Sequence, residues 1–240
     1  MAGEFTEEVA PVRAGEHWGY IYMSGKLAIS PQFDEARNFR YGLAPVRIGD
    51  KWGYIRPDAS YAIPLQFDIA RSFQDERARV RVQQRWGYIR TDGSFAIPPQ
   101  YRGADGFSEG LGPVQTGDGW GYVDRKGAVV IGMQFVVAAS FSDGLAAVKT
   151  GQYWGYINKS GAMVLESRFE EAGTFAEGIS PVRLHGKWGF IDHGGTFVIP
   201  PSYDRADRFS HTLAYVMHGN LSQYIDHAGV PVWTSKCSGN

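Results

Sequence analysis

Apolar and aromatic residues recur along this chain in short runs, and the whole pattern repeats every 34 residues. Each repeat holds three runs rich in Val, Ile, Tyr and Trp, which predict β-strands. Glycine and aspartate separate the runs, and glycine accepts the positive φ that a tight hairpin requires. Residues 42–64 show the three runs clearly. The pattern therefore predicts an antiparallel meander in each repeat and an all-β fold.

A further segment after the third run also follows the repeat. Proline stands near the end of that run in several repeats, and we expect it at a strand end or sheet edge because it cannot donate a main-chain hydrogen bond. In the second repeat Phe67, Ala70 and Phe73 come next, and equivalent aromatic and small residues recur 34 positions apart. These columns predict a packed segment, either a short fourth strand or an ordered connector.

Six tryptophans occupy one position of the repeat, and each is followed by glycine, then Tyr or Phe, then Ile or Val. A motif present in every unit more often stabilises the unit than performs chemistry once. We therefore predict a role in the structural core for all six, because a buried indole removes a large apolar area from water. They are Trp18, Trp52, Trp86, Trp120, Trp154 and Trp188.

Counting from the Leu-Ala-x-Val strand, the chain contains seven units in a single domain spanning 1–240. Their starts lie near residues 9, 43, 77, 111, 145, 179 and 213. In the seventh unit Ser222 and Gln223 replace the tryptophan and glycine. Such erosion is typical of an end-capping repeat, whose outer face meets water.

Two segments, Lys51 to Ala59 and Lys187 to Gly195, carry the Lys-Trp-Gly core, and Phe39 to Val46 and Phe141 to Val148 carry Phe-x-x-Gly-Leu-Ala-x-Val. Together they resemble the WG-repeat (WG β-repeat) family of bacterial proteins, over roughly residues 5–233. The resemblance implies a β-rich tandem repeat, often an interaction module, with no established catalytic residues. This chain departs from the pattern at Ser222-Gln223 and at Glu76-Arg77, where other units have Gly-Leu.

Two arrangements of seven small antiparallel sheets fit the sequence. We favour a β-propeller-like ring, because the small residues of Gly-Leu-Ala-Pro-Val suit a crowded inner strand. The alternative is an open superhelical β-repeat array, which the eroded seventh unit favours. A 34-residue unit is also short beside the roughly 40 to 45 residues of a WD-type blade.

Composition narrows the choice of partners and compartment. Lys plus Arg is 24 and Asp plus Glu is 25, so no overall charge attracts nucleic acid or an anionic membrane. No apolar run approaches the roughly 20 residues that span a bilayer, and the first residues do not form a signal peptide. We expect a cytoplasmic protein, or one that has lost a native leader if Gly3-Glu4-Phe5 is a cloning remnant. The lone Cys237 has no internal disulfide partner.

The strongest local anomaly is a run of alternating arginines in the third unit. Strand alternation sends Arg77, Arg79 and Arg81 to one face, and Arg85 follows at the next turn. Such a row suits bidentate recognition of phosphate or carboxylate groups. The structural alternative is a solvated strand, or one paired with nearby carboxylates such as Asp75, Glu76, Asp105 and Glu109.

Other candidate sites are weaker. A basic column at Arg13, Arg47, Arg81, Lys149 and Arg183 fits a groove, or simply exposed strand ends. The Asp-His pairs ending at His193 and His227 fit hairpin turns better than a metal site, so we predict no metal and no cofactor. No nucleophile, phosphate-loop or zinc-protease motif is present, and a carboxylate pair such as Asp34 and Asp204 is only one of many choices.

The sequence therefore predicts a non-enzymatic binding or scaffold module without catalytic residues. Its expected partner is a protein or an anionic ligand. The alternative is a glycan-processing enzyme on a propeller-like scaffold, which would need one deep pocket with converging carboxylates.

Overall fold

The computed structural model describes residues 2–236, which form β-strands and no helix; Cys237 lies outside them. The strands make seven antiparallel sheets, each built from consecutive strands. Within residues 2–236, no helix has the length and apolar character needed to cross a membrane.

The strands have the following bounds, sheet by sheet: sheet 1, β1 (Val9–Ala14), β2 (His17–Tyr22) and β3 (Leu27–Phe33); sheet 2, β4 (Glu35–Ala36), β5 (Ala44–Ile48), β6 (Lys51–Ile55) and β7 (Tyr61–Phe67); sheet 3, β8 (Ile69–Ala70), β9 (Ala78–Val82), β10 (Arg85–Ile89) and β11 (Phe95–Tyr101); sheet 4, β12 (Gly103–Ala104), β13 (Leu111–Thr116), β14 (Gly119–Asp124) and β15 (Val129–Phe135); sheet 5, β16 (Val137–Ala138), β17 (Leu145–Thr150), β18 (Tyr153–Asn158) and β19 (Met163–Phe169); sheet 6, β20 (Glu171–Ala172), β21 (Ile179–Leu184), β22 (Lys187–Asp192) and β23 (Phe197–Tyr203); sheet 7, β24 (Arg205–Ala206), β25 (Ala214–His218), β26 (Leu221–Ile225) and β27 (Pro231–Lys236).

The chain divides into two compact units. The first comprises Met1–Gly117 and Val123–Ala128, and the second comprises Asp118–Tyr122 and Val129–Asn240. Sheets 1 to 3 belong to the first unit and sheets 5 to 7 to the second.

The predicted meander is present, and the segment after the proline supplies a short fourth strand. This strand has two residues and opens the next sheet, as β4 does by pairing with β5 through Glu35 and Ala36. Each four-stranded sheet therefore starts eight positions before the Leu-Ala-x-Val strand, at residue 35 rather than 43 in sheet 2. Sheet 1 has the same arrangement in reduced form, because Ala2 makes a single bridge to Val12.

Proline lies on the edge strand, as expected, and coincides with a bulge. In sheet 2 the edge strand β7 pairs Trp52 with Phe67 but Tyr54 with Ile63, so extra residues bulge out around Pro64. A bulge leaves residues without ladder partners, and proline is tolerated there because it has no N–H to pair.

The glycine after each tryptophan accommodates this bulge. A Cβ added to Gly53 would lie 2.6 Å from the Ile63 carbonyl oxygen and 2.9 Å from the Leu65 nitrogen. Real Cβ atoms do not approach main-chain atoms this closely, so only glycine fits. The equivalent glycines, Gly19, Gly87, Gly121, Gly155 and Gly189, meet the same backbone.

Sheet 7 shows what happens without that glycine. Gln223 pairs directly with Thr234, and the ladder from Leu221 to Tyr224 runs without the bulge that sheet 2 has around Pro64. The side-chain amide of Gln223 also donates to the Thr234 hydroxyl over 3.2 Å. Loss of the glycine and loss of the bulge therefore go together.

The tryptophans are less buried than the residue two positions later. Trp52 is 4% exposed, whereas the other five ladder tryptophans are half-buried. Full burial belongs instead to five tyrosines with no exposed surface, Tyr20, Tyr54, Tyr88, Tyr122 and Tyr156.

Each of these tyrosines donates a hydrogen bond from its own sheet to the main chain at the start of the next sheet. The Tyr54 hydroxyl donates to the Arg71 carbonyl over 2.8 Å, and its ring lies 5.2 Å from the Phe73 ring. Burial raises the pKa of these tyrosines far above the usual value for the side chain, so the hydroxyls remain donors. The aromatic columns seen in the sequence thus form the contacts between consecutive sheets.

We predict that Gly53→Ala destabilises the protein by about 2 kcal/mol, because the new methyl group displaces the bulged backbone of β7. Gly132→Ala is the matched control, since a Cβ at Gly132 meets nothing within 4 Å, and its effect should stay within about 0.5 kcal/mol. Urea unfolding measures both. Equal stabilities for the two variants would contradict the proposed role of the glycine.

Candidate functional site

A cavity in the first compact unit brings together arginines from two consecutive sheets. Arg37 follows β4 in sheet 2, whereas Arg71 follows β8 and Arg79 lies on β9 in sheet 3. The wall also includes Trp18 of sheet 1 and Asn38. We call this site the arginine cavity.

The repeat fixes the main chain on which two of the arginines stand. The buried Tyr20 hydroxyl donates a hydrogen bond to the Arg37 carbonyl over 2.7 Å. The Tyr54 hydroxyl donates in the same way to the Arg71 carbonyl over 2.8 Å. The Arg71 amide also donates to the Arg79 carbonyl over 3.1 Å. The scaffold therefore fixes the main chain at both arginines.

The positive charges are only partly compensated. Arg79 forms a close ion pair with Asp105 and donates to the Ala104 carbonyl over 2.7 Å. Arg37 lies 3.9 Å from Glu35. That carboxylate is held more closely by Arg47, at 3.0 Å. The Arg71 Nε is buried without a hydrogen-bond partner among residues 2–236.

The electrostatic consequence appears at Arg37. Its pKa is lowered first by burial and then by the positive charges of Arg71 and Arg79, while Glu35 opposes the shift. The Nε atoms of Arg37 and Arg71 are both buried without a hydrogen-bond acceptor among residues 2–236. Such donors destabilise the folded protein, since a buried polar group without a partner loses its hydration.

Aromatic rings orient two of the guanidinium groups. The Arg37 Cζ lies 4.8 Å from the centre of the Trp52 ring, and the Arg79 Cζ lies 5.7 Å from that of Trp86. Cation–π contacts of this kind stabilise a cation without neutralising it. The ladder tryptophans therefore support the cavity as well as the sheets.

The arginines of the cavity occur in only two consecutive units of the repeat. The position of Arg37 and Arg71 is glycine, alanine or aspartate in the other units, at Gly3, Asp105, Ala139, Gly173 and Asp207. The position of Arg79 is mostly proline, at Pro11, Pro45, Pro113 and Pro181. Comparing units column by column, rather than along the chain, is the signal that identifies Arg37.

The arginines predicted from the sequence separate in the structure. Of the four, Arg79 lines the arginine cavity, whereas Arg77, Arg81 and Arg85 do not. Arg77 lines a different depression and donates to the Arg125 carbonyl over 3.3 Å. The Arg81 Cζ lies 5.9 Å from the Trp86 ring centre, and Arg85 is exposed.

The predicted basic column includes members that are paired within their own sheets. Arg47 contacts Glu35 over 3.0 Å, and Arg183 contacts Glu171 over 2.8 Å. In sheet 3 the residue equivalent to these glutamates is Ile69, which offers Arg81 no carboxylate.

The turn at Glu76-Arg77 also lacks a hydrogen bond that links consecutive turns in other units. In several units the carboxylate of a tight turn accepts a hydrogen bond from a main-chain amide in the equivalent turn of the next unit. Asp75 accepts such a bond from the Gly110 amide over 2.6 Å. Tyr41 stands at the acidic position one unit earlier, so the turn at Glu76 has no carboxylate from it. Tyr41, Glu76 and Arg77 line the depression described above.

Histidines and carboxylates named in the sequence lie in turn structures. The rings of His193 and His227 stack on Phe175 and Phe209, each at 4.4 Å between ring centres. The portion of the chain from 2 to 236 contains no group of three or more His, Cys, Asp or Glu residues able to hold a metal.

Asp34 and Asp204 each stabilise a hairpin. They accept the amides of Gly49 and Gly219, both over 2.7 Å. The pKa of Asp204 is lowered, chiefly by its hydrogen bond from Lys187. A general acid for glycoside chemistry needs the opposite shift.

The repeats seen in the structure match a known family. The sequence model of the family described as WG containing repeat matches the chain six times, at residues 18–52, 52–85, 86–120, 120–154, 154–188 and 188–221. The chain therefore belongs to the WG-repeat family. A comparison with curated proteins finds no match.

Solved structures show the same fold with little sequence similarity. Hsv2p of Kluyveromyces lactis, a β-propeller protein, is 8% identical, with a TM-score of 0.58 over 99% of each chain. A eukaryotic initiation factor is 11% identical, with a TM-score of 0.54 over 94% of this chain and 84% of that one. The dihydro-heme d1 dehydrogenase NirN, in complex with DHE, is 10% identical, with a TM-score of 0.56 over 95% of this chain and 64% of that one. The predicted all-β, propeller-like fold class is thereby confirmed.

We predict that Arg71→Gln leaves the stability of the ligand-free protein unchanged, or raises it by up to about 0.5 kcal/mol at low salt, because it removes a repelling charge. Arg47→Gln is the control, since it breaks the ion pair with Glu35 and should cost about 0.5 to 1 kcal/mol. Urea unfolding in low-salt buffer measures both. A larger loss for Arg71→Gln than for Arg47→Gln would show that Arg71 has a stabilising role.

Proposed function

We propose that this protein is a non-enzymatic binding module that holds an anionic group in the arginine cavity. The observation that carries the proposal is the half-buried Arg71, which lies beside Arg37 and Arg79 and whose Nε has no hydrogen-bond acceptor among residues 2–236. The anionic group belongs either to a small molecule or to a protein partner. The repeated sheets serve as the scaffold that presents the site.

Physical chemistry favours an anion over other ligands. Two guanidinium groups held close together repel each other, and an anion between them would replace repulsion with attraction. Bidentate hydrogen bonds to a phosphate or carboxylate would also satisfy the buried Nε atoms of Arg37 and Arg71. Sites that destabilise the free protein in this way are typical of function.

Binding also accounts for the carboxylates better than glycan processing does. Asp68 and Asp204 have lowered pKa values because Lys51 and Lys187 donate to them. Both also accept a turn amide, from Gln83 and Gly219. These contacts support a structural role for the acidic positions, so we propose no catalytic residues.

The test compares small anions on three proteins. Inorganic phosphate, sulfate and citrate would be titrated by calorimetry into the wild type, the double variant Arg37→Gln/Arg71→Gln and the control Arg56→Gln. The control removes a charge in the same compact unit, where Arg56 donates to the Tyr61 carbonyl of its own hairpin. We expect at least one anion to bind the wild type and the control, and to bind the double variant about tenfold or more weakly.

Binding that is unchanged in the double variant would place the site elsewhere. If none of the three anions bound the wild type, the proposed anion-binding function would be wrong. Urea unfolding of the double variant confirms that any loss is not a loss of folding.

A further inference from the structure

We propose that the arginine cavity takes a phosphate monoester dianion whose organic part carries a planar ring. This inference rests on the proposed anion-binding function and specifies the chemical class of the ligand. The charge of the cavity, its donors from separate segments and one half-buried aromatic ring in its wall lead to this inference.

The charge of the cavity matches a dianion. Of the three arginines, Arg79 is neutralised by its close ion pair with Asp105. Glu35 is shared with Arg47, which it contacts at 3.0 Å, compared with 3.9 Å for Arg37. Arg37 and Arg71 therefore leave an excess of nearly two positive charges. A phosphate monoester carries up to two negative charges at neutral pH, whereas a carboxylate or sulfate ester carries one.

The donors come from three separate segments of the chain. Arg37 and Arg71 occupy equivalent positions in sheets 2 and 3, and Arg79 comes from the neighbouring strand β9. A phosphoryl group has three terminal oxygens that diverge from phosphorus, so it accepts hydrogen bonds from several sides. A carboxylate has two oxygens in one plane and suits a single guanidinium better.

Trp18 supplies the surface for a ring. In sheet 2 the guanidinium of Arg37 lies over Trp52, 4.8 Å from the ring centre. The residue equivalent to Arg37 in sheet 1 is Gly3, which has no side chain to cover Trp18. Trp18 is half-buried in the cavity wall. An indole face beside a cationic site suits a planar group attached to the phosphate, since such rings stack on aromatic side chains.

The test uses four probes on the wild type: phenyl phosphate, phenyl sulfate, benzoate and inorganic phosphate, each titrated at pH 7.5. We expect phenyl phosphate to bind about tenfold more tightly than phenyl sulfate or benzoate, because only it is a dianion. We also expect it to bind about tenfold more tightly than inorganic phosphate, because of the ring. Lowering the pH to 5 protonates phenyl phosphate to the monoanion and should remove its advantage over phenyl sulfate.

Two variants assign these effects to residues. Arg71→Gln should weaken phenyl phosphate about tenfold or more, with Arg56→Gln unchanged. Trp18→Leu should remove the preference for phenyl phosphate over inorganic phosphate while leaving inorganic phosphate binding intact. If Trp18→Leu fails to fold, the comparison of the two phosphates on the wild type still tests the ring.

The outcomes separate this inference from the function beneath it. If the three phenyl-containing anions bind equally and depend on Arg71, the anion-binding function holds and the dianion inference is wrong. If phenyl phosphate binds no better than inorganic phosphate, the ring is wrong. If none of the four probes binds, both the inference and the proposed function fail.

Discussion

The close approach of an edge strand to a glycine determines much of this architecture. In six sheets the residue after tryptophan has no room for a Cβ, because the bulged backbone of the third long strand lies against it. The bulge changes the register between Trp52 and Tyr54, so the chain reaches the next sheet with Phe67 opposite Trp52. Sheet 7 has Gln223 at this position, and its ladder runs without a bulge from Leu221 to Tyr224. The Trp-Gly pair is therefore a backbone requirement before it is a side-chain motif.

A backbone fixed in this way allows other positions to vary without loss of the fold. The main chain at Arg37 and Arg71 is held by tyrosine hydroxyls from the preceding sheets, and none of those bonds involves the arginine side chains. Equivalent positions accept glycine, alanine or aspartate. The repeat thus maintains the scaffold while two neighbouring units acquire a cationic site. Stability and the proposed anion binding therefore depend on different columns of the same repeat.

The sequence predicted the fold well because a 34-residue period displays each structural rule six or seven times. Strands, turns, edge prolines and the altered last unit all followed from it. The cavity was harder to predict from the sequence, because Arg37 and Arg71 are 34 residues apart and meet only through the packing of consecutive sheets. Alternation along one strand grouped Arg77 with Arg79, yet the two line different depressions. Two features required the structure: the pairing of Arg79 with Asp105, and the buried Arg71 Nε without an acceptor among residues 2–236.

We propose that Arg37 and Arg71 form a preformed anion site on an otherwise regular scaffold. A crystal structure of the protein soaked with tungstate, a tetrahedral dianion with a strong anomalous signal, tests it most directly. We expect an anomalous peak within hydrogen-bonding distance of both guanidinium groups, with the main chain at Arg37 and Arg71 unmoved. Well-ordered crystals with no peak there, and with both arginines paired to carboxylates of their own chain, would contradict it.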